Sequence, residues 1–174
     1  MPTIAPESRM DNIVKSIYAY VDTNVSMGLG LTVYYQLGEP LDLETKPAQW
    51  VEVSVIELGP QGDIQVTGSG RHGYIDEVLT NINGFEKNDA RKSGGGGTLY
   101  SLWTVMTNIK EIFMPPDAAV PIRDYNTGGN PVLSALVSLA PPVLTGLSPE
   151  AELGITQINL SATMRHVAET IIQN

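Results

Sequence analysis

Residues 50–57 read Trp50-Val51-Glu52-Val53-Ser54-Val55-Ile56-Glu57, and this stretch decides the fold class. Its three valines fall on one side of an extended chain, whereas the first glutamate and the serine fall on the other. Alternation with a period of two is typical of a strand that buries one face. The sequence therefore predicts a β-strand over residues 50–57, and the other segments are assigned around it.

Segments on both sides of this strand are also rich in the β-branched and aromatic residues that strands favour. Leu31–Leu37 is predicted to be a strand that ends before Gly38 and Pro40. Residues 59–63 are predicted to form a turn, and residues 64–66 a short strand or the base of a loop. Tyr74–Ile82 fits a strand and a short helix almost equally, and we favour a strand that continues to about Lys87.

The last third of the chain is predicted to be mostly β. Strands are expected at Val120–Tyr125, Val132–Leu139 and Gln157–Val167, with a loop from Pro141 to Gly154. The run Val132–Leu139 is almost wholly apolar, which suits burial. One face of the last strand would carry Ile158, Leu160, Ala162, Met164 and His166.

Two segments repeat apolar residues at helical spacing. The first predicts a helix from about Ser8 to Ser26, ended by nearby glycines, and the second predicts a helix at Leu99–Phe113 that follows Thr98 and stops at Pro115-Pro116. The order of elements predicts a single α+β domain over residues 1–174. Its mostly antiparallel sheet is packed by two amphipathic helices and joined by long glycine- and proline-rich loops.

Composition narrows the possible functions. The 174 residues include no cysteine, which excludes disulfides and cysteine-ligated metal sites. The net charge of −9 disfavours a dedicated DNA-binding module. No run of 18 apolar residues and no signal-peptide pattern is present, which predicts a soluble protein that is not exported. Charged residues make up only 17%, and this low value favours assembly.

No motif in the chain specifies a reaction. Gly68-Ser69-Gly70-Arg71-His72-Gly73 matches the G-x-G-x-x-G pattern, but a three-residue strand and a segment expected to be β flank it, so a surface loop is favoured over nucleotide binding. Gly94–Gly97 lacks the following Lys-Ser or Lys-Thr of a phosphate loop. His72 is expected to be solvated, and His166 to be packed and hydrogen-bonded. We therefore predict no catalytic, cofactor-binding or metal-binding residue and no enzymatic activity.

The order of elements resembles that of tailed-bacteriophage tail terminator proteins, also called tail completion or minor tail proteins. The resemblance covers most of the chain. It rests on the helix-first order, the Trp50-Val51-Glu52-Val53 strand, the second helix and two closing segments, Pro121–Tyr125 and Gly154–Gln157.

The resemblance implies a structural virion protein that is assembled in the host cytoplasm and resides at the tail–neck junction. Such proteins form a ring, usually a hexamer, that caps the tail-tube protein, ends tube polymerisation and joins the tail to the head–neck stopper protein. DNA would pass through the lumen without specific binding, and an acidic chain suits such a conduit. No cofactor is implied.

Subunit contacts are expected in loops that carry basic residues within an acidic chain. These candidates are Arg71, His72, Arg91, Lys92 and Arg123. For Arg123 the alternative is an ion pair with Asp124 at the end of a strand. Three other functions stay open: another neck or tail-tube component, a generic α+β binding module, and a nucleotide-binding enzyme that uses Gly68–Gly73.

Overall fold

A curved β-sheet forms the frame on which both helices rest. The computed structural model describes residues 3–4, 6–35, 44–65, 71–87, 98–115, 118–138, 140–150 and 154–171. All strand pairs in this part of the chain are antiparallel except one. The predicted α+β class is therefore confirmed.

Eight strands are present among the described residues. They are β1 (Thr3–Ile4), β2 (Val33–Tyr35), β3 (Gln49–Gln65), β4 (Arg71–Lys87), β5 (Ala119–Arg123), β6 (Val132–Ser138), β7 (Val143–Glu150) and β8 (Ile155–Ile171). The sheet order is β2-β3-β4-β8-β6-β5, and β1 and β7 also pair with β8. Because β2 lies parallel to β3, it forms the single parallel pair in the described sheet.

Three long strands make the centre of the sheet. β3, β4 and β8 each contain 17 residues, which span roughly 55 Å at about 3.3 Å per residue. β4 and β8 pair without interruption, from Arg71 opposite Ile171 to Lys87 opposite Ile155. The other edge of β8 pairs in turn with β7, β6 and β1.

Both helices contribute to one hydrophobic core. Helix α1 (Met10–Val21) continues into a π-helical turn at Asp22–Met27, and helix α2 covers Thr98–Ile112. Their buried apolar residues recur at helical spacing, and they pack with the alternating apolar residues of the central strands, as the sequence predicts. The fully buried apolar side chains of the two helical segments are Ile13, Ile17, Val21, Val25, Leu102, Met106 and Ile109.

A glycine in β4 allows α2 to approach the sheet closely. A Cβ atom added to Gly84 would clash with Sδ of Met106, which is fully buried. A side chain at this position would therefore force Met106 out of its buried position. Helix α2 packs on the face of the sheet that carries Gly84, and we call this the inner face.

Four sequence predictions need correction. The turn expected at residues 59–63 is part of β3, which absorbs the irregular residues as bulges near Gly59, where φ is +83°. The loop expected after Pro141 contains β7. Arg71 and His72, expected in a loop, begin β4, because their backbones pair with β8. Finally, β6 is only half-buried: Val132, Leu133 and Val137 are exposed.

Candidate interaction surface

The opposite side of β3, β4, β7 and β8, which we call the outer face, carries a band of uncharged polar side chains. The band contains side-chain amides from β4 and β8 and hydroxyls from β3 and β8. Strand register places these groups side by side on neighbouring strands. The members of this polar band are Ser54, Asn81, Asn83, Gln157, Asn159 and Ser161. They are half-buried, and strand register places them on the same side of the sheet as Glu52, opposite the buried valines of β3.

Hydrogen bonds link the polar band across strands. Asn83 Oδ1 accepts from Nε2 of Gln157 at 3.1 Å and from Nδ2 of Asn159 at 2.9 Å. The Ser161 hydroxyl lies 2.9 Å from Asn81 Oδ1 and 2.8 Å from Asn159 Oδ1. Amides and hydroxyls both donate and accept, so this surface can bind a second neutral polar surface of either character.

Exposed aliphatic side chains flank the polar band. Ile56, Val137 and Val143 lie on the outer face by register and are 47%, 39% and 61% exposed. Apolar side chains that are exposed on the same sheet face can be buried by a partner protein. The outer face therefore combines neutral polar groups with apolar groups, as the centres of protein interfaces do.

One end of the outer face is covered by residues 44–48. Nζ of Lys46 lies 3.8 Å from Oε1 of Glu52 and 3.0 Å from the centre of the Tyr34 ring. The same carboxylate oxygen accepts from Nε1 of Trp50 at 2.9 Å, and the Trp50 ring stacks on Phe85 at 5.1 Å. This arrangement buries the ion pair and holds Lys46 against β2 and β3.

A second ion pair lies farther along the outer face. Nη2 of Arg165 is 3.0 Å from Oε1 of Glu77, and the two residues are directly opposite in register. Both ion pairs are made within the chain, so their charges are already compensated when another protein approaches. The outer face thus adds little net charge to an approaching surface.

The five basic residues predicted at subunit contacts are not brought together in a described site. Arg91 and Lys92 lie outside the described residues, as does the glycine run Gly94–Gly97. Arg71 and His72 occupy strand positions in β4. Arg123 ends β5, and its Nη1 donates to the carbonyl of Asn130 at 3.1 Å instead of forming the expected pair with Asp124.

The polar band is a site that the sequence did not predict. Its signal is present as the alternation Asn81-x-Asn83 and Gln157-x-Asn159-x-Ser161, but only strand register shows that these segments lie side by side. In the described part of the chain, His, Asp and Glu side chains form no group of three that could hold a metal ion. No described helix is long and apolar enough to cross a membrane.

His166 lies on the inner face, as predicted, and its side chain is buried. Among the described residues, neither Nδ1 nor Nε2 has a partner with good hydrogen-bond geometry, and the nearby backbone of Glu7 interacts with the ring only weakly. Burial lowers the pKa of His166, and nearby Glu7 acts more weakly in the opposite direction. The folded protein therefore favours the neutral imidazole.

We expect this histidine to make the fold sensitive to mild acid. Below the unfolded-state pKa of about 6.5, the imidazole binds a proton in the unfolded chain but stays neutral in the folded chain. The free energy of unfolding therefore falls as the pH decreases from about 7 toward the lowered folded-state pKa. Urea denaturation at several pH values should show that the free energy of unfolding falls more steeply with decreasing pH for the native chain than for His166→Leu. Parallel pH profiles for the two proteins would refute this role.

Similarity to known proteins is weak. No protein-family model and no curated protein matches the chain. A similar solved structure, of a protein designated only by a sequence number, is 9% identical and has a TM-score of 0.48, with 95% of this chain and 99% of that chain covered. No functional argument follows from so weak a similarity.

Proposed function

We propose that this chain is a structural subunit that assembles with copies of itself through the outer face of its sheet. The observation that carries the proposal is the composition of that face, where a linked neutral polar band is bordered by exposed Ile56, Val137 and Val143. When a partner surface with both apolar and polar groups covers this face, water is excluded from the apolar side chains, and this stabilises the complex.

The charge distribution supports contact between identical chains. Each copy carries a net charge of −9, so two copies repel one another wherever their charged surfaces meet. The outer face avoids this cost because its polar band is uncharged and its ion pairs are internally compensated. An interface centred there allows like-charged subunits to associate.

More specifically, we propose that the assembled copies form the ring that the resemblance to tail terminators implies. The ring would cap the tail tube, end tube polymerisation and join the tail to the neck. The acidic chain suits a ring through which DNA passes, because like charge prevents the duplex from adhering to the lumen. The same surface suits another neck or tail-tube component, which remains the alternative.

Nucleotide binding through Gly68–Gly73 has less support. Residues 71–73 begin β4, and the motif joins β3 to β4. A dinucleotide-binding glycine motif instead joins a strand to a helix, whose N-terminus receives the pyrophosphate. We therefore do not favour an enzymatic function over assembly.

A charge placed on the outer face tests the proposal. We expect Ile56→Lys to weaken assembly by about tenfold or more, because the lysine would have to be desolvated in the interface. The mass of the protein, measured by light scattering over a range of concentrations, should fall relative to the native chain. The melting temperature should change little, since Ile56 is exposed in the subunit.

Met27→Lys is the matched control. Met27 is 68% exposed at the end of the π-helical turn and does not belong to a strand of the outer face, so this variant introduces the same charge outside the proposed interface. It should assemble like the native chain. If the two variants assembled equally well, the outer face would not be the interface.

A further inference from the structure

A short segment at the start of the described chain covers the buried histidine of β8. It comprises β1, whose two residues pair with Ile171 and Thr170 of β8, and a single 3₁₀ turn, Pro6–Ser8, which packs against β6 and β8. We call these two elements the N-terminal segment. The backbone and the carboxylate of Glu7 both act on the imidazole of His166, so the turn lies next to the ring.

Two polar side chains are buried where this turn meets the sheet. His166 is 3% exposed and Ser8 is 8% exposed. Among the described residues, neither the Ser8 hydroxyl nor either ring nitrogen of His166 has a partner with good hydrogen-bond geometry. Buried polar groups are normally hydrogen-bonded, and each group without a partner destabilises the closed arrangement. Movement of the N-terminal segment would hydrate both side chains at once.

The N-terminal segment is attached far less firmly than the strand that it covers. β1 contributes a two-residue pairing, and the turn is held to α1 by the side chain of Asn12, whose Nδ2 donates to the Pro6 carbonyl at 2.9 Å. His166 instead belongs to β8, which pairs with β4 along all of its 17 residues. Because short elements open at a lower free energy than the whole domain, water reaches the ring most easily when the segment moves.

We propose that protonation of His166 releases the N-terminal segment from β8, so that this part of the fold opens in mild acid while the rest of the subunit stays folded. An imidazolium loses its hydration when it is buried, and the open arrangement restores that hydration. The open form is a minor state whose population rises as the pH falls. All the contacts involved lie within one subunit, so this inference does not rest on the proposed assembly.

The charged residues around His166 come from the turn and from β4. Glu7 of the turn favours the charged ring, but less strongly than burial disfavours it. Asp76 occupies the position directly opposite His166 on β4. The two β6 residues that pair with β8 beside the ring are uncharged, and Arg165 pairs with Glu77 on the outer face. Burial therefore decides the direction, and the closed form favours the neutral imidazole.

A single introduced thiol reports the opening, because the chain contains no cysteine. In Ser8→Cys, the buried thiol reacts with dithiodipyridine when the N-terminal segment opens. Division of this rate by the rate of the urea-unfolded variant at the same pH removes the effect of pH on the thiol itself. We expect the ratio to rise about tenfold between about pH 7.5 and about pH 5.5, since the hydrated imidazole binds one proton with a pKa of about 6.5.

Two controls separate this local opening from unfolding of the whole subunit. Thr80→Cys places the thiol at a fully buried position of β4, and its ratio should be lower than that of Ser8→Cys by about a hundredfold or more at both pH values. In Ser8→Cys combined with His166→Leu or His166→Gln, the rise with acid should disappear. Equal ratios for the two thiols, or a rise that persists without His166, would overturn the proposal. A Ser8→Cys ratio that did not change with pH would also overturn it, since the closed form would then accept the proton.

Discussion

Replacement of Val53 by aspartate is expected to unfold most of the subunit. Val53 is fully buried in β3, opposite Ile82, and belongs to the core that both helices share. An unpaired carboxylate at this position would lose its hydration without gaining a partner. A loss of about 4–5 kcal/mol or more is comparable with the whole stability of many domains.

Ser54→Asp is the matched control, because it places the same charge one residue later on the half-buried outer face. We expect a loss of about 1 kcal/mol or less for this variant, with a cooperative transition in urea. The far-ultraviolet circular dichroism of Val53→Asp should show loss of structure before denaturant is added. If Val53→Asp melted like the native chain, the register of β3 against β4 would be wrong.

Removal of the Glu52 carboxylate is expected to have the second largest effect. In Glu52→Ala, the indole N–H of Trp50 loses its acceptor, and Lys46, whose side chain is 11% exposed, loses its counter-charge. Removing one partner of a buried ion pair lowers the free energy of unfolding by about 3–5 kcal/mol, because the other charge stays buried and uncompensated. The Tyr34 ring retains its cation–π contact with Lys46 and reduces this cost.

A double variant that removes both charges separates the ion pair from simple packing loss. Lys46→Met combined with Glu52→Gln removes both charges, and the glutamine can still accept from Trp50. We expect this double variant to be more stable than Glu52→Ala by about 2 kcal/mol, measured from urea denaturation midpoints. An equally large loss in the double variant would mean that the ion pair contributes nothing beyond its packing.

Much of the fold could be predicted because its signals are local. The alternation in residues 50–57 and 157–167 and the helical spacing in α1 and α2 each require only one segment. The extent of the strands could not be predicted in the same way. Gly59–Asp63 has turn composition, yet pairing with β4 across bulges keeps it within β3.

The candidate site depends on long-range pairing that the sequence does not reveal. Asn83 and Asn159 are 76 residues apart but directly opposite in the sheet. Likewise, the segment after Pro141 has loop-like glycine and proline content, and its strand conformation depends on pairing with β8. The sequence predicts subunit contacts at basic residues in loops, whereas strand register identifies a neutral surface on the sheet.

The mass and shape of the purified protein test the central claim of self-assembly most directly. At micromolar concentration, light scattering combined with negative-stain electron microscopy should show rings of about six copies of the 18.7-kDa chain, close to 112 kDa. Particles that remain monomeric up to the highest soluble concentration, with no ring in any image, would contradict it.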